Sequence, residues 1–277
     1  MAYVGLRKPI IGKRNGDGTY NEPFYMGKAI GLQVTPNYAE GSLYGDDLQA
    51  EYDKEFTYAE VTLNTSTIPI KAHNEMFGHK VNEEEKSVDF NADDQNNDIG
   101  MGWISVEKVN GVRSFIGNFL SKVKFSEPSE DYATKGESIE YKTPSITGRA
   151  SAPDNGSWKS TQIFNTENEA KNWIYEKFGK ILGTLSIQSS AGSETGKTTL
   201  TVTPEKDINS SYVYKTGTDL ELPAYDDVCN ANSGWNSWDG SAEITAKSED
   251  KIVVVEVTTD GSYARKAGQA TVTSNAE

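Results

Sequence analysis

One cysteine in 277 residues, Cys229, leaves no partner for an internal disulfide and no thiolate cluster for a metal. It is expected to be buried rather than reactive. Only two histidines are present, His73 and His79. They stand six apart, where the zinc-protease helix needs four. Six residues turn a helix by about 240° net, so the two rings are expected to point apart, as surface or cap residues. Long apolar runs are missing as well: Ile252–Val255 is the most conspicuous, far short of the ~20 residues that cross a bilayer. Cations are scarce, with 27 Lys+Arg against 41 Asp+Glu and a net charge of -14. That balance excludes a basic nucleic-acid footprint and disfavours docking on anionic membranes. No leader pattern opens the chain, because Arg7, Lys8, Lys13, Arg14 and Lys28 interrupt every early apolar stretch. The expectation is a soluble protein made in the cytoplasm.

Aromatic residues are not scarce. Fourteen Tyr, nine Phe and five Trp argue for packed interiors despite a mean hydropathy of -0.62. Length suggests about two domains. Composition shifts near Gly179–Gly183, where charges of both signs thin out and Thr, Ser and Val increase. The predicted domains are therefore 1–180 and 181–277.

The first domain reads as strands with two helices. Phe56 to Leu63 alternates, with a phase slip near Ala59–Glu60. Val106 to Phe119 is a predicted hairpin around Asn110-Gly111, the strongest two-residue turn signal. Lys122 to Phe125 and Ser138 to Ile146 are further strands, and Asn91 to Asp98 is a solvated loop. A helix is expected over Pro69 to His79, stopped by Gly78. Another is expected over Thr166 to Phe178, opened by a Thr166/Glu169 capping box, with Trp173, Ile174 and Phe178 packing on the sheet. The second domain is nearly all strand: Thr199–Thr203, Ser211–Lys215, Glu243–Ala246, Ile252–Val257 and Ala270–Thr273. Short strands at this spacing suggest an immunoglobulin-like sandwich, with Trp235 and Trp238 plugging a core or a loop base.

Two motifs imitate ligand sites. Ala191-Gly192-Ser193-Glu194-Thr195-Gly196-Lys197-Thr198 approximates a phosphate-binding loop, but a strand pattern follows where a helix N-terminus is required, and Glu194 places an anion at the phosphate position. A hairpin tip is the expectation. Asp89-x-Asn91-x-Asp93 begins like a calcium loop, then offers Asp94 where Gly is needed and Gly100 where Glu is needed.

The stretch Asn37 to Asp47 has aromatics and acids without a strict period. It is expected to be a long ordered loop serving an interface or a site. Within it, Ala39-Glu40-Gly41-Ser42-Leu43-Tyr44-Gly45-Asp46-Asp47 is one of several motifs that resemble the major tail protein of long-tailed bacteriophages of Gram-positive hosts. The others are Tyr3-Val4-Gly5-Leu6-Arg7-Lys8-Pro9, Glu60-Val61-Thr62-Leu63-Asn64-Thr65, Gly111-Val112-Arg113 to Glu127-Pro128, and Ser138-Ile139-Glu140-Tyr141-Lys142-Thr143-Pro144. The resemblance covers about residues 1–178; residues 181–277 resemble, more loosely, the immunoglobulin-like extra domain of some such proteins.

The resemblance implies a tail-tube β-sandwich with a flanking helix, built into hexameric rings that stack into a hollow tail tube for genome passage. It implies tape-measure, tail-terminator and baseplate proteins as partners, DNA transit without specific binding, and no catalytic residue, cofactor or metal. Acidity suits a lumen that must not retain phosphate. Tyr38, Glu40, Leu43, Tyr44, Asp46 and Asp47 are the expected ring-to-ring contact residues, and residues 181–277 are expected to touch the host surface weakly. The competing readings are a bacterial surface or carbohydrate-binding β-protein and a nucleotide hydrolase built on Gly196-Lys197-Thr198.

Overall fold

The computed structural model describes residues 2–132, 134 and 142–275. Contacts divide the chain into two compact units, Met1–Gly179 and Lys180–Glu277. Both are mainly β, and no helix among the described residues is long and apolar enough to cross a membrane.

The first unit contains β1 (Ala2–Lys13), β2 (Phe24–Tyr25), β3 (Ala29–Gly45), β4 (Leu48–Thr65), α1 (Ile70–Phe77), β5 (Lys80–Asn82) and β6 (Ser87–Asp89). These are followed by β7 (Asp98–Val109), β8 (Val112–Phe125), β9 (Ser145–Ala150), β10 (Lys159–Phe164) and α2 (Glu167–Lys177). The main sheet is antiparallel, in the order β2-β1-β7-β8-β9-β4-β3. One edge of β8 is shared, with Phe115–Leu120 pairing β10 and Val123–Phe125 pairing β9. Ile99, Met101 and Leu120 from one limb of the sheet join Val61, Leu63 and Ile146 from the other in a single core. The sheet thus folds over on itself, and Met76 and Phe77 of α1 complete the filling.

Local chemistry explains these elements. Asn110 and Gly111 both have positive φ, 49° and 87°, as the mirror-image turn of a two-residue hairpin demands. Gly78 ends α1 in the left-handed region, its N–H bonded to the Asn74 carbonyl, and a side chain there would collide with the Gln95 carbonyl. The Thr166 hydroxyl accepts from the Glu169 N–H at 3.2 Å while the Glu169 carboxylate accepts from the Thr166 N–H at 3.1 Å. That box satisfies two orphan donors at the start of α2.

α2 lies on the sheet face opposite the core, in a trough lined by glycine. Ile174 sits over Gly102, Trp173 over Gly117, and Phe178 over Gly12 and Gly100. Phe178 also meets Tyr20 and Phe119 edge-on at 5.2 and 5.0 Å. Tyr175 and Lys171, absent from the face read off the sequence, are fully buried too. Arg7 and Lys8 of β1 both pair with Glu167 at the start of α2. Burial pushes the Glu167 carboxyl up, but those two hydrogen bonds outweigh it and hold the group low.

Two expectations about strands need correction. The phase slip assigned to Ala59–Glu60 lies at Thr57, where β4 carries one extra residue. Of the strand expected over Ser138–Ile146, residues 138–141 lie outside the described residues, and β9 begins at Ser145.

The second unit contains β11 (Gly183–Thr184), β12 (Ser186–Ala191), β13 (Lys197–Thr203), β14 (Ser210–Gly217), β15 (Asn236–Trp238), β16 (Ile244–Thr245), β17 (Lys251–Thr258) and β18 (Ala264–Thr271). One sheet is ordered β11-β18-β17-β14-β15, the other β12-β13-β16. Leu200 and Ile244 of the smaller sheet pack with Tyr212, Trp238, Ile252 and Val254 of the larger. The far face of the larger sheet, Val213, Val253 and Val255, is covered by Leu220, Cys229 and Trp235. Cys229 is buried, as expected. The last strand runs from Ala264, earlier than Ala270–Thr273, because Arg265, Lys266 and Gln269 interrupt its apolar pattern.

Candidate assembly surface

β3 and β4 leave the body together as a long two-stranded arm. Asn37 to Asp47, expected to be a loop, is β3 itself and its turn: Tyr38, Glu40, Leu43 and Tyr44 are strand residues. Asp46 and Asp47 make the two-residue turn between Gly45 and Leu48, with φ of 50° and 61°. Short Asp side chains tolerate that left-handed backbone. Apolar periodicity is missing because neither face of the arm is buried in the single chain: Tyr44 is 68% and Leu48 72% exposed.

Among the described residues neither edge of the arm is paired. β3 hydrogen-bonds only to β4, and β9 pairs β4 only over Ala59–Asn64. Backbone donors and acceptors along such edges are open to another strand.

Register fixes which side chains share a face. In the body, Leu32 and Val34 oppose Leu63 and Val61 and pack on the core, and Pro36 opposes Ala59 on the same face. At Thr57 the ladder slips, so Asn37 opposes Tyr58 but Tyr38 opposes Phe56. The core-facing row therefore continues into the arm as Tyr38–Phe56, Glu40–Lys54 and Ser42–Tyr52, then Tyr44 beside Gln49. Phe56 stacks on Trp158 at 4.5 Å with 9° between planes, and Tyr38 meets Phe56 edge-on at 6.1 Å. Lys54 lies 4.5 Å above the Tyr38 ring and 2.5 Å from Glu40. The hydrogen bond between them holds the Glu40 carboxyl low and raises the Lys54 ammonium. This face is aromatic with its single charge pair neutralised. The opposite face sets Ala39, Gly41 and Leu43 against Glu55, Asp53 and Glu51. One side of the arm is rings, and the other is carboxylates.

The motifs that imitate ligand sites are occupied by their own side chains. Ala191 to Thr198 joins β12 to β13 as a hairpin. Lys197 pairs with Glu194 at 2.5 Å, and the Glu243 carboxylate accepts from the Ser193 N–H at 2.6 Å. Carboxylates stand where phosphate would have to enter. Asp94 accepts from the Asn91 N–H at 2.9 Å and lies 2.7 Å from His79 Nδ1; these two bonds, the backbone one first, hold its carboxyl low. Among the described residues no group of three or more His, Cys, Asp or Glu is placed to hold a metal.

The histidines do not point apart as expected. Their ring centroids are 5.9 Å apart, and His79 is only 3% exposed. Gly78 reverses the chain, and the His79 N–H bonds back to the His73 carbonyl at 3.1 Å, so helical spacing no longer applies at His79. Its Nε2 lies 3.0 Å from Glu127, at an angle too poor for a hydrogen bond. Burial first, then the neighbouring His79, pushes the His73 imidazole down. Neither a scan against protein-family models nor a search of curated proteins finds a match for this chain.

Proposed function

We propose that this chain is the subunit of a self-assembling tube, the tail tube of the long non-contractile phage tails whose major tail protein its motifs resemble. The observation that carries the reading is the arm. A two-stranded ribbon with both edges unpaired among the described residues and exposed rings along one face gains little as a lone hairpin. Such a feature is also an aggregation hazard unless a partner covers it. Head-to-tail contacts between identical copies use it: they close into a ring and repeat along an axis.

In this reading the first unit builds hexameric rings that stack into the tube, and Tyr38, Glu40, Leu43, Tyr44, Asp46 and Asp47 lie in the ring-to-ring contact. The tape-measure protein occupies the lumen during assembly, the terminator and baseplate proteins cap the ends, and DNA later passes without specific binding. The net charge of -14 supports that passage, since phosphate retention depends on cations. The second unit is an immunoglobulin-like module displayed outside the tube, where many copies make weak host-surface contacts useful.

Electron microscopy of the concentrated protein tests the proposal. Rings or tubes are expected. A protein that stays monomeric at every concentration and is absent from purified virions would overturn it. Deleting 183–277 should leave tubes intact and reduce adsorption.

A further inference from the structure

Between the two limbs of the sheet, beside the foot of the arm, lies a cavity of about 640 Å³. Leu6, Leu32, Val34 and Trp103 wall it, and the three aliphatic residues are only partly buried. Apolar walls left half-open to water gain from being covered. On the floor, Asn118 donates to Ser105 Oγ at 3.2 Å and accepts from the Thr161 hydroxyl at 3.1 Å, which satisfies those polar groups. The Lys159 ammonium has no hydrogen bond or ion pair among the described residues and stands 5.9 Å from the centre of the Trp103 ring. Lys159 is open to solvent at the rim, yet enough protein surrounds its ammonium that burial pushes it below its ordinary value, and no charge offsets this. A cation in such a place is costly until a carboxylate joins it. The complementary ligand is an apolar group with a carboxylate beside it. A polyanion is excluded, because one cation on a chain of net charge -14 cannot retain it.

The tip of the arm has this composition. Leu43, Tyr44 and Leu48 are 59%, 68% and 72% exposed. They flank Asp46 and Asp47, neither of which has an ion pair among the described residues. Val34 walls the cavity, and Gly45, at the turn, stands eleven residues farther along the same strand, roughly 35 Å away at the usual strand rise. The tip cannot reach the cavity of its own chain, and a tip seated there comes from another copy.

We infer that the arm tip of one copy seats in this cavity of a second copy, Tyr44 and Leu48 against Leu32, Val34 and Trp103, with Asp46 or Asp47 on the Lys159 ammonium. Entry is end-on: the carboxylates of the turn lead, and Tyr44 from one face and Leu48 from the other follow. The inference rests on the tube reading and names the surface that receives the arm. Tyrosine suits the task, with a broad apolar body and a polar tip that tolerates water when the arm is free.

Crosslinking between copies tests the contact. Lys159→Cys protein mixed with Asp47→Cys protein should give mixed disulfide dimers on mild oxidation under assembling conditions, about five-fold or more above either homodimer. The native Cys229 is buried and stays out of the exchange. Lys247→Cys, on the second unit, mixed with Asp47→Cys should give no excess of mixed dimers. Lys159→Met keeps the stem and removes the charge. It should raise the critical concentration for tube formation about five-fold or more, while the melting temperature of the monomer holds or rises. Asp46→Asn with Asp47→Asn should raise that concentration similarly. All three changes together should be no worse than either set alone, since each set breaks the same contact. If tubes form without mixed dimers, if Lys159→Met assembles normally, or if the two losses multiply, the docking inference is wrong while the tube reading stands. Dodecanoate binding to the monomer without mixed dimers would assign the cavity to a small amphiphile and overturn the inference too. If the parent forms neither rings nor tubes under any condition, the tube reading falls and takes the inference with it.

Discussion

Alanine placed at three glycines should separate a packing cost, a backbone cost and no cost, and the contrast tests how α2 is seated. At Gly102 a Cβ would overlap Cγ2 of Ile174, whose side chain is fully buried. Overpacking of this kind costs about 1–3 kcal/mol. Alanine returns up to ~1 kcal/mol by restricting the unfolded chain, so the net loss should be about 1–2 kcal/mol. In a unit of this length that is a fall of about 2–8 °C in melting temperature. At Gly41 nothing lies within 4 Å and no positive φ is required, so Gly41→Ala should be neutral or slightly stabilising. At Gly111 space is equally open but φ is +87°, so alanine should cost about 1–2 kcal/mol through the backbone alone. Calorimetry of the full chain reads all three. Ile174→Leu, which lacks the overlapping methyl, should recover part of the Gly102→Ala loss and none of the Gly111→Ala loss. Equal effects at Gly102 and Gly41, or no recovery with Ile174→Leu, would refute the trough described for α2.

Three other outcomes follow from the contacts. Glu256 is fully buried and accepts from Lys266 at 3.0 Å, so Lys266→Met should destabilise the second unit by about 3 kcal/mol in denaturant titrations. Adding Glu256→Leu should recover most of that loss, and equal losses in single and double variants would show that the stranded carboxylate is not the cause. Thr166→Ala should cost about 1 kcal/mol by opening the capping box, and a loss below the error of a melting curve would mean the box contributes nothing. His73, held below its ordinary value, stays neutral in the fold while the unfolded chain binds a proton below about pH 6.5. Stability should therefore fall with pH from about 6.5 down to the lower folded value, and His73→Gln should flatten that slope; parallel melting curves for the two proteins would exclude this role.

What could be read from the residues alone tracks how locally each feature is decided. The Asn110-Gly111 turn and the Thr166/Glu169 box need only neighbours in sequence, and both are where the sequence reading put them. The hairpin between β12 and β13 is likewise local, since the β-branched run after Lys197 excludes a helix. The arm was illegible as strand because apolar alternation records burial, and its faces are exposed in the single chain. Asp46-Asp47 also lacks the glycine that marks most such turns. β1 is masked by a slip between Arg7 and Ile10, where Lys8 takes a φ of 51° beside Pro9. The approach of His73 to His79 depends on the reversal at Gly78 and on Asp94 and Glu127, which are distant in sequence.

Thr57 decides the handedness of the arm's character, inside against outside. A strand has two-residue parity, and one unpaired residue reverses it along β4 as far as the next slip, at Ala50. Were Thr57 paired in the ladder instead of left out of it, the row from Val61 and Ala59 would run on through Thr57 into Glu55, Asp53 and Glu51, and the β4 rings would turn to the other side. One threonine thus keeps an oily palm on the side that continues the body's interior and an acidic back on the side that does not.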